Sequence, residues 1–265
     1  MGRGPFIDFM NTLSILTACT LLLVFTLPAN GGQFMDQQRR ASRVRSAVAY
    51  HQNTVEQTFR DAGAAWPPKV FFRGFKHEGQ FEIWAAPARG TQWVLVENVP
   101  ICAASGVLGP KRREGDLQVP EGFYRLDRFN PRSQFHLSLG IDYPNAVDRA
   151  HKEEQKPLGG DIFIHGGCVT IGCLPLQNRP MERVYLAAVA ARDAGQRHIP
   201  VHLLPCRFGT QACEAALLSA SLTSPEHTVR WAELRAGHSA FETTQRPPRI
   251  RPLSSGHYQI RVQGQ

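Results

Sequence analysis

The 265-residue sequence predicts a mainly β domain with accessory helices, an α+β class. Three observations predict it. Between Lys69 and Leu139 the apolar residues come in short runs bounded by Gly, Pro, Asn and Asp, as in a sheet of antiparallel neighbours. Within that region Phe135-His136-Leu137-Ser138-Leu139 alternates at period two. After Pro180 the apolar positions Met181, Val184, Tyr185, Ala188 and Val189 recur at helical spacing until Gly195, with proline near the first turn and glycine past the end. A hydrophobic content of 42% suits a packed domain and excludes a chain disordered throughout.

In chain order, residues 1–32 read as a secretory signal or an uncleaved anchor. No charge falls between Phe9 and Met35, and the apolar stretch Leu13–Leu27 ends at Pro28-Ala29-Asn30-Gly31-Gly32. Leu16-Thr17-Ala18-Cys19 also fits a lipoprotein pattern, although an apolar run follows the cysteine. The expected location is therefore the periplasm or cell envelope, with membrane contact only through this segment. Residues 33–68 predict a helical linker, because Val44, Val48, Val55 and Phe59 fall on one stripe before Trp66-Pro67-Pro68. Residues 69–208 form the main domain, with strands expected at 70–72, 81–84, 93–96, 135–139, 161–164 and 201–204 and a helix from Met181 to Ala194. The extension 209–265 carries one weak helix and then Pro-rich, β-like sequence.

The net charge of +8 comes mainly from arginines spread along the chain. An anionic partner fits, and a solvated basic surface fits as well. The absence of a dense basic block with interleaved aromatics gives no reason to expect nucleic acid.

Setting aside Cys19 leaves Cys102, Cys168, Cys173, Cys206 and Cys213, an odd number in a compartment where disulfides form. One thiol should stay free. Cys206 and Cys213 can pair, but spacing does not fix connectivity. The chemistry concentrates in Ile164-His165-Gly166-Gly167-Cys168-Val169-Thr170-Ile171-Gly172-Cys173-Leu174. A thiol becomes a strong nucleophile as thiolate, and a neighbouring imidazole can take its proton. Gly172 allows a tight turn before Cys173, which would leave amide N–H groups aimed at a developing oxyanion, with Thr170 and Gly166 supporting the turn. Other uses of these residues stay open: a metal site, buried packing thiols, or a Cys168–Cys173 disulfide. No second CxxC or HxxxH lies nearby to complete a metal set, and His198 and His202, separated by Pro200, read as surface or strand histidines.

The run from His165 through Thr170-Ile171-Gly172-Cys173-Leu174 resembles the signature of the murein L,D-transpeptidase family, a His-Gly pair followed by Ser/Thr, any residue, Gly and Cys. Upstream, Ser105 to Lys111, Gly115-Asp116, Val119-Pro120-Glu121-Gly122-Phe123-Tyr124 and Phe135 to Asn145 resemble the family's preceding segments. The likeness spans roughly residues 69–208. It implies a β-sandwich or partial barrel with a helix beside the site, Cys173 as nucleophile, His165 as proton donor and acceptor, and no metal or organic cofactor. The implied substrate is the peptidoglycan stem peptide. The thiolate attacks the bond between the L-centre of diaminopimelate and D-alanine, and an amine of a second stem or a wall-attached protein accepts the acyl group. The sequence departs from the commoner pattern: His165 and Cys173 are eight positions apart where most members insert more, Pro175 stands where many have arginine, and Ile171 where many have histidine. These departures resemble a short-loop branch in which some members hydrolyse. His136 and Lys111, polar groups in the family-like segments, are candidates for substrate contact, and Asp161 for orienting His165.

Overall fold

A computed structural model describes residues 1, 2, 4, 32–153 and 155–262. The segment expected to be a signal or anchor lies almost wholly outside the described residues. The chain divides after Asn30, and the fold below is that of the unit Gly31–Gln265. Among the described residues, no helix is long and apolar enough to cross a membrane.

The elements in order are α1 (Gln33–Arg39), α2 (Ser42–Asp61), β1 (Val70–Phe75), β2 (Gln80–Ala85), β3 (Val94–Pro100), β4 (Gly122–Ser133), β5 (His136–Ile141), α3 (Ala146–Ala150), β6 (Phe163–His165), β7 (Leu174–Pro175), α4 (Asn178–Asp193), β8 (Pro200–Leu204), α5 (Gln211–Ser221), α6 (His227–Thr244), β9 (Arg249–Pro252) and β10 (Tyr258–Arg261). Strands β1 to β8 make one eight-stranded sheet ordered β3-β2-β1-β8-β4-β5-β6-β7, while β9 and β10 pair apart. Neighbours are antiparallel except β1 with β8 and β6 with β7.

Strand β1 is buried at every position because both faces of the sheet are covered. Val70 and Phe72 point into a core shared with α2 and α4, where Val44, Val55, Phe59, Val184 and Tyr185 are buried. Phe71 points the other way, onto Trp84 and Phe241 of α6. The same face carries Arg73, 1% exposed, between Glu82 and Glu242 at 2.6 and 2.5 Å, with its guanidinium over the Trp84 and Phe241 rings. A charge buried this deeply survives only because it is paired on two sides.

Several expectations change in detail. The linker helix forms as two helices, broken at Arg40–Ala41, and its apolar stripe packs into the main core. It ends at Asp61, before the tryptophan, where Gly63 takes up φ +80. The extension holds two helices and a hairpin, not one weak helix. The twelve-residue β4 runs through Asn130-Pro131, which reads as a turn in the sequence; the strand tolerates proline there because its pairing with β5 is irregular between Asn130 and Ser133. Asp161 adopts φ +55 and stands outside the strand that it was expected to begin.

Candidate active site

The site occupies the β5–β6–β7 end of the sheet. Strand β6 pairs with Ser138–Gly140 of β5 on one side and with β7 on the other, aligning Ile164 with Leu174 and His165 with Pro175. Cys173 falls just before β7, at a bend, and its thiol lies against the amide of Phe163, two residues before His165 on β6.

The connecting loop is tied down at each point. The Thr170 hydroxyl accepts hydrogen bonds from the amides of Gly172 (3.1 Å) and Cys173 (2.8 Å) and donates to the Cys173 carbonyl (2.8 Å). This is a Ser/Thr turn, and it corrects one expectation: both amides expected to face an oxyanion are already spent on Thr170. Turn support is what Thr170 supplies. Gly172 sits at φ +135, and a Cβ there would stand 3.1 Å from the Gln118 carbonyl oxygen, so glycine is required twice over. Gly166 is needed for space: a Cβ would lie 2.7 Å from Asn178 Oδ1 and 2.9 Å from the Phe135 carbonyl. Asn178, first residue of α4, accepts the Gly167 amide at 2.9 Å.

Cys102 pairs with Cys168 and Cys206 with Cys213, leaving Cys173 as the free thiol among the described cysteines. The Cys102–Cys168 link ties the loop to the segment that follows β3. The Cys173 thiol accepts from the Phe163 amide (3.4 Å) and lies 3.7 Å from the Asp161 carbonyl. Burial pushes this thiol above its ordinary value, and the Asp161 carboxylate adds to that; the Phe163 amide and the Lys111 charge pull the other way.

His165 is 2% exposed, and burial holds its pKa below the usual imidazole value, so the ring is neutral at pH 7. Its Nδ1 donates to the Gly166 carbonyl at 2.5 Å, which leaves Nε2 as the basic lone pair. The Phe135 ring lies over it, centroids 4.8 Å apart. The hydrogen-bond partners of thiol and imidazole are all backbone groups.

The weaker candidates are engaged elsewhere. Lys111 is 6% exposed and donates to Asp116 (2.6 Å) and the Arg113 carbonyl (2.9 Å), so its reach is electrostatic. His136 Nε2 meets Glu182 at 2.8 Å; Glu182 also holds His51 (2.7 Å) and Arg179 (2.9 Å), pinning the β4–β5 turn to α2 and α4. The Asp161 side chain pairs with Arg128 at 2.6 Å rather than orienting His165.

Beside the thiol is a cavity of about 120 Å³, lined by Cys173, Leu174, Val119, Lys76, Ser105 and Leu108 among others. Its wall depends on a buried charge pair unforeseen from sequence. Glu121, 1% exposed, accepts the Gly109 amide (2.7 Å) and the Trp231 indole N–H (2.8 Å) and meets Lys76 at 3.0 Å. Lys76 in turn donates to the carbonyls of Val107, Gly109 and Val119 at 2.9–3.0 Å. A carboxylate between Pro120 and Gly122 in an apolar stretch was the available signal; Trp231, more than a hundred residues away, gave none.

No family model matches the chain. Individual relatives do match by sequence. The chain is 33% identical over 193 residues to YafK of Escherichia coli K12, an L,D-transpeptidase by provisional assignment, covering 72% of this chain and 73% of that protein. YafK of strain O157:H7 matches equally. This chain belongs to the L,D-transpeptidase family. Among solved structures, the helical cell shape determining protein Pgp2 of Campylobacter jejuni overlaps 74% of this chain and 79% of its own, with TM-score 0.40 and 16% identity. L,D-transpeptidase 1 of Mycobacterium tuberculosis overlaps 51% and 62%, with TM-score 0.28 and 12% identity.

Proposed function

We propose that this protein is an exported cysteine acyltransferase acting on peptidoglycan tetrapeptide stems. The observation that carries the reading is that Cys173 is the free thiol among the described cysteines, lines a cavity and lies against β6, the strand that ends in the buried His165.

In this reading the His165 imidazole takes the Cys173 proton as the thiolate attacks the carbonyl of the diaminopimelate L-centre. The imidazolium returns that proton to the leaving nitrogen, D-alanine departs, and a thioester remains. An acceptor amine then attacks the thioester, losing its proton to His165, and the thiol is restored as the amide forms. Because the Gly172 and Cys173 amides are held by Thr170, oxyanion stabilisation falls to other donors or to a shift of the Thr170 hydroxyl. The neutral resting forms of both groups mean that substrate binding must bring Nε2 to the thiol before the proton moves.

Hydrolysis of the same bond is the second reading. It is favoured by Pro175, buried in β7 opposite His165, which supplies no cation to orient an acceptor, and by the short loop. Incubating the protein with purified tetrapeptide muropeptides, followed by mass analysis, tests both. Dimers mean transfer and tripeptide monomers mean hydrolysis. Unchanged substrate, or wild-type turnover and wild-type carbapenem adduct in Cys173→Ala, would sink the assignment.

A further inference from the structure

The hairpin β9–β10 sets Arg249 opposite Arg261, Ile250 opposite Ile260, Arg251 opposite Gln259 and Pro252 opposite Tyr258. Alternation sorts these residues onto two faces. Ile250, Ile260 and Tyr258 turn inward against a core with Phe123, Trp231 and Leu234. Arg249, Arg251, Gln259 and Arg261 form the outer face, all exposed, around a shallow recess of about 180 Å³.

Like charges directly opposite one another weaken a hairpin, and a two-stranded sheet has little stability to spare. None of the three guanidiniums has a hydrogen-bond or ion-pair partner among the described residues. The extension's own acids are used elsewhere: Glu214 holds Arg235, Glu233 holds Arg230 and His257, and Glu242 holds Arg73. Three arginines at neighbouring positions of one hairpin face, their β-carbons about 5–8 Å apart, make a fitting surface for several carboxylates, since each planar fork takes both oxygens of one.

We propose that this face docks the protein onto the carboxylate-bearing peptidoglycan polymer, apart from the thiol site. The proposal rests on the peptidoglycan reading above. The one apolar residue lining the recess, Ile250, is partly buried against the core, so the face offers no protruding apolar side chain to enter a bilayer. Nor does it carry an aromatic ring on which a base could stack. A hydrated polyanion is the partner that its chemistry suits.

The test uses the full chain, isolated peptidoglycan sacculi and phosphatidylglycerol vesicles. Wild-type protein should co-sediment with sacculi, less so as salt rises. The variant R249Q/R251Q/R261Q should bind sacculi at least about tenfold more weakly, because exposed guanidinium contacts act by number. Its unfolding midpoint should match or exceed the wild type's, since a repulsion is removed. Its turnover of soluble monomeric muropeptides should be unchanged. Equal sacculus binding by variant and wild type overturns the proposal, as does arginine-dependent binding to vesicles in place of sacculi. Cys173→Ala should bind sacculi as the wild type does. If wild type fails to turn over muropeptides while arginine-dependent sacculus binding persists, the acyltransfer reading fails and the docking surface stands.

Discussion

At the scale of single residues, the loop before Cys173 is held by the hydroxyl of Thr170 and by a glycine at positive φ. Gly172→Ala forces a β-carbon onto φ +135 against the Gln118 carbonyl and should cost about 1–3 kcal/mol in denaturant unfolding, with loss of carbapenem acylation. Thr170→Val orphans two amides and should cost a similar amount, whereas Thr170→Ser keeps the acceptor and much of the activity. The thiol itself should titrate late. Burial raises its pKa and lowers that of His165, which disfavours a resting thiolate–imidazolium pair. Iodoacetamide alkylation of Cys173 should therefore keep climbing beyond the ordinary thiol range, above about pH 8.5. His165→Ala should leave that profile in place while abolishing muropeptide turnover; an alkylation plateau near neutral pH would contradict this account.

At the scale of elements, the join between β8 and α6 is sensitive to acid. His202 of β8 is fully enclosed, and burial and the Arg73 charge drive its pKa well down; burial brings His238 of α6 to about 4. The groups facing this pair are Arg73, Arg207, Glu82 and Glu242. Both folded values lie below the unfolded one near 6.5, so the folded state binds fewer protons and stability falls as pH drops from about 6.5 toward 4. Asp148, raised by burial to about 6, has the opposite slope over part of that range. The sharp readout is thus a difference: His238→Phe, whose ring would sit among Phe75 and Phe208, should lose less urea stability than wild type between pH 7 and pH 5. These elements also mark what the sequence reveals. Short apolar runs between turn residues, period-two in β5, and proline-to-glycine helix bounds locate β1, β2, β5, β8 and α4 to within a few residues, because buried regular elements leave apolar runs or a periodic trace. Strand β4 escapes notice because its exposure pattern is broken by the bulge around Pro131, and β7 because two residues carry no period. Cys173 and His165 are legible from their motif. Glu121, Phe135 and Asn178 are not, since each acts through a contact made only after the chain has folded.

For the whole molecule, the C-terminal extension is the second cover of the sheet and a support for the cavity wall. Through Trp231 it holds Glu121, which holds Lys76 and the 107–109 backbone. Glu121→Ala leaves Lys76 without its counter-charge and two N–H groups without acceptors, and should lower stability by about 3–5 kcal/mol. Trp231→Phe removes one donor while keeping the ring, and should raise KM for muropeptide more than it lowers kcat; the reverse split would mean that the wall does not shape binding.

The Cys102–Cys168 bond has a consequence for handling the protein. With Cys168 occupied, the loop around Cys173 contains no second free thiol to oxidise against, so the disulfide shields Cys173 from pairing with its neighbour. A reductant, usually added to protect a cysteine enzyme, would here dismantle the shield. Protein reduced and then reoxidised in air should contain an inactive Cys168–Cys173 species in its peptide map, while protein never exposed to reductant should not.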